Sequence, residues 1–238
     1  MRGVSPHDPF EHGGLGKKIK SLLLHQRTAY IITKITRIVN CADFCYIVTM
    51  LYTGKGDKGT TKTFGECDQR ISKSSAVAEA LGTLDEINSF LGVVKMKPRS
   101  REITVPRGDG MRSKIVDVVS QAQQNLFIVQ AEVAGADKHI TLEKISELEV
   151  IINATELELP PIKTFFVSGG TELGALLDVA RTFARRAERR VVAVSEEGKV
   201  PVGKDTLAYL NRLSSLLYAM ARQVNHKSGI TEEPPTYW

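Results

Sequence analysis

Residues 179–190, VARTFARRAERR, decide the fold. Ala180, Phe183 and Ala187 recur at helical spacing, and Leu173, Leu176, Val191 and Val194 continue the stripe on either side. The spacing predicts a helix over 172–196, starting just after the turn Ser168-Gly169-Gly170-Thr171. At about 100° per residue, Arg181, Arg185 and Glu188 fall within about 60° of one another. Two arginines four apart repel by about 0.2–0.5 kcal/mol on an isolated helix, and Glu188 offsets part of that. A docking anion accounts for the remainder, with a triphosphate the obvious candidate. A salt-bridge lattice inside a bundle explains the same residues equally well. Arg186 and Arg190 point away from this face and read, on angle alone, as solvent charges.

Four more helical patterns surround this one. The first covers about 74–97, with Val77, Leu81, Leu84, Ile87, Leu91 and Val94 facing in, a serine cap at Ser74 or Ser75, and Pro98 as the stop. The second covers about 112–134, with Ile115, Val119, Ala122, Leu126, Val129 and Val133 inward. The third starts at the cap Thr141, carries Leu142, Ile145, Leu148 and Ile152, and ends before Pro160-Pro161. The last covers about 205–227, with Leu207, Leu210, Leu213, Leu217, Met220 and Val224, closed by Gly229. Residues 98–111 hold two prolines and two glycines and read as a loop, and Lys163 to Val167 as an extended piece. The fold class is all-α: a five-helix antiparallel bundle preceded by an ordered glycine-rich loop. The bundle domain is expected to span 50–229, with 230–238 a mobile tail.

Composition narrows the function. A chain of 238 residues with 42% hydrophobic and 25% charged residues can bury a full core as one domain. The net charge of +5 invites a nucleic-acid reading, but residues 1–49 hold seven Lys/Arg against three acids. The remaining body is nearly neutral, so a nucleic-acid surface is disfavoured. Residues 1–49 read either as a transit-like segment or as an over-called start ahead of Met50. A cytoplasmic location follows by default, or the mitochondrial matrix if 1–49 is a transit segment. No apolar run reaches a membrane span. Cys41, Cys45 and Cys67 are an odd set without zinc spacing, and no protein-ligated metal is expected.

Smaller features are ambiguous taken singly. Gly54-Lys55-Gly56-Asp57-Lys58-Gly59-Thr60-Thr61 can bring backbone N–H groups and lysine charge to phosphate, with Lys73 downstream, or it can be a solvated turn. It is not a P-loop, because Thr60 stands where that motif needs lysine. Asp85 borders a buried stripe, either as a rim carboxylate or as the partner of an arginine across a helix or subunit boundary. Asn211, Ser215, Tyr218 and Arg222 form a polar line on the last helix, and Asn211 can bond a nucleotide or another helix. Phe165 and Phe166 either pack in the core or wall a flat ligand.

Together YTGKGDKGTT, EALGTLDEINSFLG, FFVSGGTELGALLDVARTFARRAERRVV and NRLSSLLYAMAR resemble the ATP:cob(I)alamin adenosyltransferase family of PduO type, over residues 50–227. The chain departs from that pattern at Gly54, Ser168 and Ser215, where a basic residue, Pro and Asp are usual. The resemblance implies a homotrimer with sites between subunits. It implies substrates ATP, with Mg2+, and cob(I)alamin or a related corrinoid, the adenosyl group passing to cobalt and triphosphate leaving. It places ATP against Thr53, Gly54, Lys55, Gly56, Asp57, Gly59, Thr60, Thr61 and Lys73. On the last two long helices it adds Arg181, Arg185, Arg186, Glu188, Arg189 and Asn211. It makes Asp85 and Arg181 an intersubunit pair at the catalytic site, and turns Phe165 and Phe166 toward the corrin. An apolar wall there would exclude the lower axial ligand and ease reduction of cobalt. A reductase and an adenosylcobalamin-dependent mutase are the implied partners. A reading of another class keeps the fold and the ATP site but makes the protein a nucleotide sensor or corrinoid carrier without turnover.

Overall fold

A computed structural model of the chain describes residues 52–63 and 70–237. The 1–49 extension, the choice between Met1 and Met50, and all three cysteines lie outside the described residues. The chain divides into two units, Met1–Thr53 and Gly54–Trp238. Of the first, Tyr52 and Thr53 are described, both exposed.

Two antiparallel ribbons and five long helices make up the second unit. Strand β1 (Thr60–Lys62) pairs with β2 (Arg70–Ser72), Thr61 opposite Ile71. Helix α1 (Ala76–Met96) follows, its first turn capped by Ser75 Oγ, which accepts the Ala78 N–H at 3.3 Å. The segment expected to be a plain loop holds a single helical turn, α2 (Arg99–Glu102), and a second ribbon, β3 (Thr104–Pro106) against β4 (Arg112–Lys114). Helix α3 (Ile115–Val133) therefore begins three residues later than the spacing predicts, because 112–114 is taken by the ribbon. Helices α4 (Leu142–Glu158), α5 (Glu172–Glu197) and α6 (Lys204–Lys227) match their expected places. Among the described residues no helix is long and apolar enough to cross a membrane.

Helix α5 is the centre of the bundle, packed on α1 and on α6, while α3 packs on α1 and α4 on α6. Its buried face carries small side chains, Ala180, Ala184 and Ala187, all fully buried. Small residues on a central helix let two neighbours approach closely. Leu84, Ile87 and Leu91 of α1 and Leu210, Leu213 and Leu217 of α6 fill the space on either side. Leu176 and Phe183, expected on the inner stripe, are only partly buried, since Leu177 and Ala184 take the innermost line. Phe183 instead meets Phe90 edge to face, ring centroids 5.1 Å apart. Leu142, at the start of α4, is exposed.

Helix α6 has no capping side chain of its own; its N-cap is Gly203. Glu132, near the end of α3 and 2% exposed, supplies the missing acceptor. Its carboxylate accepts the Gly203 N–H at 2.7 Å and the Thr206 hydroxyl, and His139 approaches at 3.3 Å. A carboxylate here also meets the positive end of the helix dipole. The Glu132 hydrogen bond first, and then Asp137, raise the His139 pKa.

Candidate functional site

The turn before α5 is held from α6. Asn225 Oδ1 accepts the Thr171 N–H at 3.0 Å and the Thr171 hydroxyl at 2.9 Å, and Asn225 Nδ2 donates to the Gly169 carbonyl at 2.9 Å. Thr171 Oγ1 in turn accepts the Gly174 N–H at 3.1 Å and caps α5. Glycine is needed in this turn for a reason of space. A Cβ on Gly170 would stand 2.8 Å from Asn225 Oδ1, and one on Gly174 only 2.4 Å.

Beside that turn lies a cleft of about 890 Å3 between the 162–170 segment, α5, α6 and the chain's 230–233 stretch. Arg181 and Arg185 project into it from α5, Ser215 and Tyr218 from α6, and Phe165 from the connecting segment. Arg181 Nε lies 3.2 Å from Asp178 Oδ1, and its guanidinium sits 5.6 Å over the Tyr218 ring. Burial raises the Tyr218 pKa. Arg185 is exposed and, among the described residues, carries no ion pair. Phe165 is 80% exposed, so among the described residues it packs against nothing large. Phe166 is half-buried, its ring 5.3 Å from the Arg222 guanidinium.

The remaining expected residues fall in three other places. Glu188 and Asn211 meet one another, Asn211 Nδ2 donating to Glu188 Oε1 at 2.9 Å, with Arg212 Nη1 donating to Asn211 Oδ1 at 2.9 Å. Arg186 is engaged by Glu86 of α1 and lies 4.9 Å over the Phe183 ring, while Arg189 is exposed. Asp85 is exposed and, among the described residues, has no partner; Arg181 pairs with Asp178 instead.

The glycine loop forms a third group and does not line the cleft of its own chain. Asp57 donates its N–H to the Gly54 carbonyl at 3.2 Å, and Gly59 to the Gly56 carbonyl at 3.1 Å. The Lys73 N–H bonds the Gly59 carbonyl at 2.9 Å, and Lys73 Nζ stands 3.1 Å from where a Gly56 Cβ would be. Lysine charge thus sits directly over the turn. Thr61 is half-buried in β1 beside Thr60.

Three residues that sequence reasoning did not select as site residues build this geometry. Arg70 on β2 bonds Thr60 Oγ1 at 2.8 Å and the Lys55 and Thr60 carbonyls at 2.7 Å each, bracing the loop. Asn225 sets the turn before α5, and Arg222 backs Phe166. Among the described residues no group of three or more His, Cys, Asp or Glu could hold a metal ion.

The family model for Cobalamin adenosyltransferase matches residues 51–224. A corrinoid adenosyltransferase of Bacillus subtilis is 38% identical over 184 residues, covering 76% of this chain and 89% of the relative. The corrinoid adenosyltransferase PduO of Citrobacter freundii is 36% identical over 186 residues, 74% of this chain, which spans 50% of that longer relative. Among solved structures, a variant of a PduO-type ATP:corrinoid adenosyltransferase from Lactobacillus reuteri, complexed with cobalamin and ATP, is similar at a TM-score of 0.68. The two share 28% identity, covering 79% of this chain and 100% of that one.

Proposed function

The chain belongs to the cobalamin adenosyltransferase family, its activity is ATP-dependent adenosylation of a corrinoid, and on that premise we propose that cob(I)alamin is the acceptor, in the cleft between α5 and the 162–170 segment. One observation carries the placement: the cleft has on one side a guanidinium, Arg185, with no ion pair among the described residues, and on another an exposed aromatic, Phe165. The first suits a polyphosphate and the second the flat face of a corrin.

In this reading the reduced cobalt attacks the 5′ carbon of ATP. The bond from that carbon to the triphosphate oxygen breaks, and its electron pair leaves with triphosphate. Arg185 and Lys73 neutralise the departing charge, with Mg2+ carried on the phosphates. Asn211 and Glu188 orient the nucleotide as one bonded pair. Phe165 and Phe166 keep water from the lower face of the cobalt. No side-chain nucleophile is required; alignment and charge stabilisation do the work.

The loop 54–61 and Asp85 lie apart from the cleft of their own chain, which supports a site completed by a second copy. We therefore propose a site shared between subunits, in a homotrimer as the resemblance implies, in which the loop 54–61 and Asp85 of one subunit face Arg181 and Arg185 of the next. Arg186 would join the nucleotide after releasing Glu86, and Arg189 is free to do so from its exposed position. A reductase supplies the electron that makes cob(I)alamin, and an adenosylcobalamin-dependent mutase takes the product. The setting is the cytoplasm, or the mitochondrial matrix if residues 1–49 direct it there. Anaerobic mixing of protein, Mg-ATP and chemically reduced cobalamin should yield the adenosylcobalamin spectrum. Failure to bind Mg-ATP at millimolar concentration would overturn the proposal.

A further inference from the structure

Arg222 of α6 is 4% exposed, yet it is surrounded by an unusual set of partners. Its Nε donates to Glu232 at 2.8 and 3.0 Å, and its Nη2 to Glu232 at 2.7 Å and to the Pro160 carbonyl at 2.9 Å. Its guanidinium carbon lies 5.3 Å over the Phe166 ring. One residue further, the Glu233 carbonyl accepts the Val167 N–H at 2.8 Å, and the Ile230 N–H bonds the Asn225 carbonyl at 3.0 Å. Residues 230–233 are therefore strapped along the same segment that presents Phe165, and both line the cleft.

We propose that Arg222 is a positioning residue whose ion pair with Glu232 latches the 230–233 strap to the 165–167 segment and so fixes the wall carrying Phe165. The inference rests on the reading of Phe165 as the corrin-facing wall. Neither Arg222 nor Glu232 touches the reacting atoms. Their task is to keep an exposed ring, which nothing large among the described residues supports, at one height above the cleft floor. A planar guanidinium suits this task, because it can bind a carboxylate edge-on while stacking on an aromatic face, and lysine cannot do both.

Arg222→Ala leaves the half-buried Glu232 carboxylate without its partner and risks the fold itself. Glu232→Gln, Arg222→Lys and a chain ending at Gly229 are the working variants, with Phe165→Ala measured beside them. In Glu232→Gln, hydrogen exchange at the Val167 amide should quicken. The corrinoid kcat/KM should fall by about tenfold or more, as expected when a wall of the site is displaced by a fraction of an ångström. The KM for ATP should stay within about twofold, since the nucleotide is placed on the Arg185 side of the cleft and the latch does not touch that side chain. Arg222→Lys should fall between Glu232→Gln and the unaltered protein. Equal losses for ATP and corrinoid, unchanged exchange at Val167, or an unchanged corrinoid kcat/KM would each overturn the latch. If Phe165→Ala alone lowers the corrinoid kcat/KM, the wall stands and the latch falls. If Phe165→Ala has no effect while Glu232→Gln does, both fall together.

Discussion

Arg185 is the side chain on which nucleotide binding should depend most visibly. It faces the cleft and, among the described residues, holds no ion pair, so its guanidinium need not leave a carboxylate to meet an anion. Arg185→Ala should weaken ATP binding by about 1–3 kcal/mol in calorimetry. Unchanged affinity would remove it from the nucleotide site. Arg186→Ala should cost less, because that guanidinium must first leave Glu86. Phe165→Ala should slow transfer to the corrinoid more than it weakens ATP binding, and equal losses would take away its place as the wall. That Arg181 and Arg185 share one helix face was legible in the sequence, since helical spacing alone sets it. Arg70, Asn225 and Arg222 were not legible in these roles. Each acts on backbone or side chains far along the chain, and spacing says nothing about such partners.

At the scale of elements, the turn into α5 is a packed joint rather than a flexible hinge. Gly174→Ala would drive a methyl group into Asn225 Oδ1. Overpacking of this kind costs about 1–3 kcal/mol, to be read as a lowered midpoint in urea denaturation. A midpoint at the original value would mean that Asn225 can swing away without loss. The long helices were readable because each repeats its apolar residues over several turns. The α2 turn and the β3–β4 ribbon were not, because three- and four-residue elements show no period. The glycines and prolines of 98–111 fit a loop as well as a tight ribbon. The 230–233 stretch, expected to be mobile because it is polar and terminal, is held by Arg222 and by the Val167 amide.

For the molecule as a whole, acid stability should report on Glu158. Arg112 donates to its carboxylate at 2.5 and 3.1 Å, Gln223 at 2.6 Å, and Lys227 lies 3.8 Å away, so α4, β4 and α6 meet at one group. The Arg112 hydrogen bond, more than any other cause, lowers the Glu158 pKa from 4.5 to about 2. The folded state therefore favours the ionised form. Its contribution is complete above pH 4.5 and is lost as pH falls from there toward 2. Glu158→Gln should flatten the decline of unfolding free energy across that interval in urea titrations at stepped pH. An unaltered slope would show that Arg112 finds equivalent partners in solvent. The Glu132 cap on α6 has a different consequence, one of timing. Its acceptor and donors are 71 and 74 residues apart along the chain, so the contact forms only after both distant ends have met. It belongs on the native side of the folding barrier, where it acts as a brake on escape. Glu132→Gln should accelerate unfolding in stopped-flow traces while the refolding limb of the chevron stays where it was.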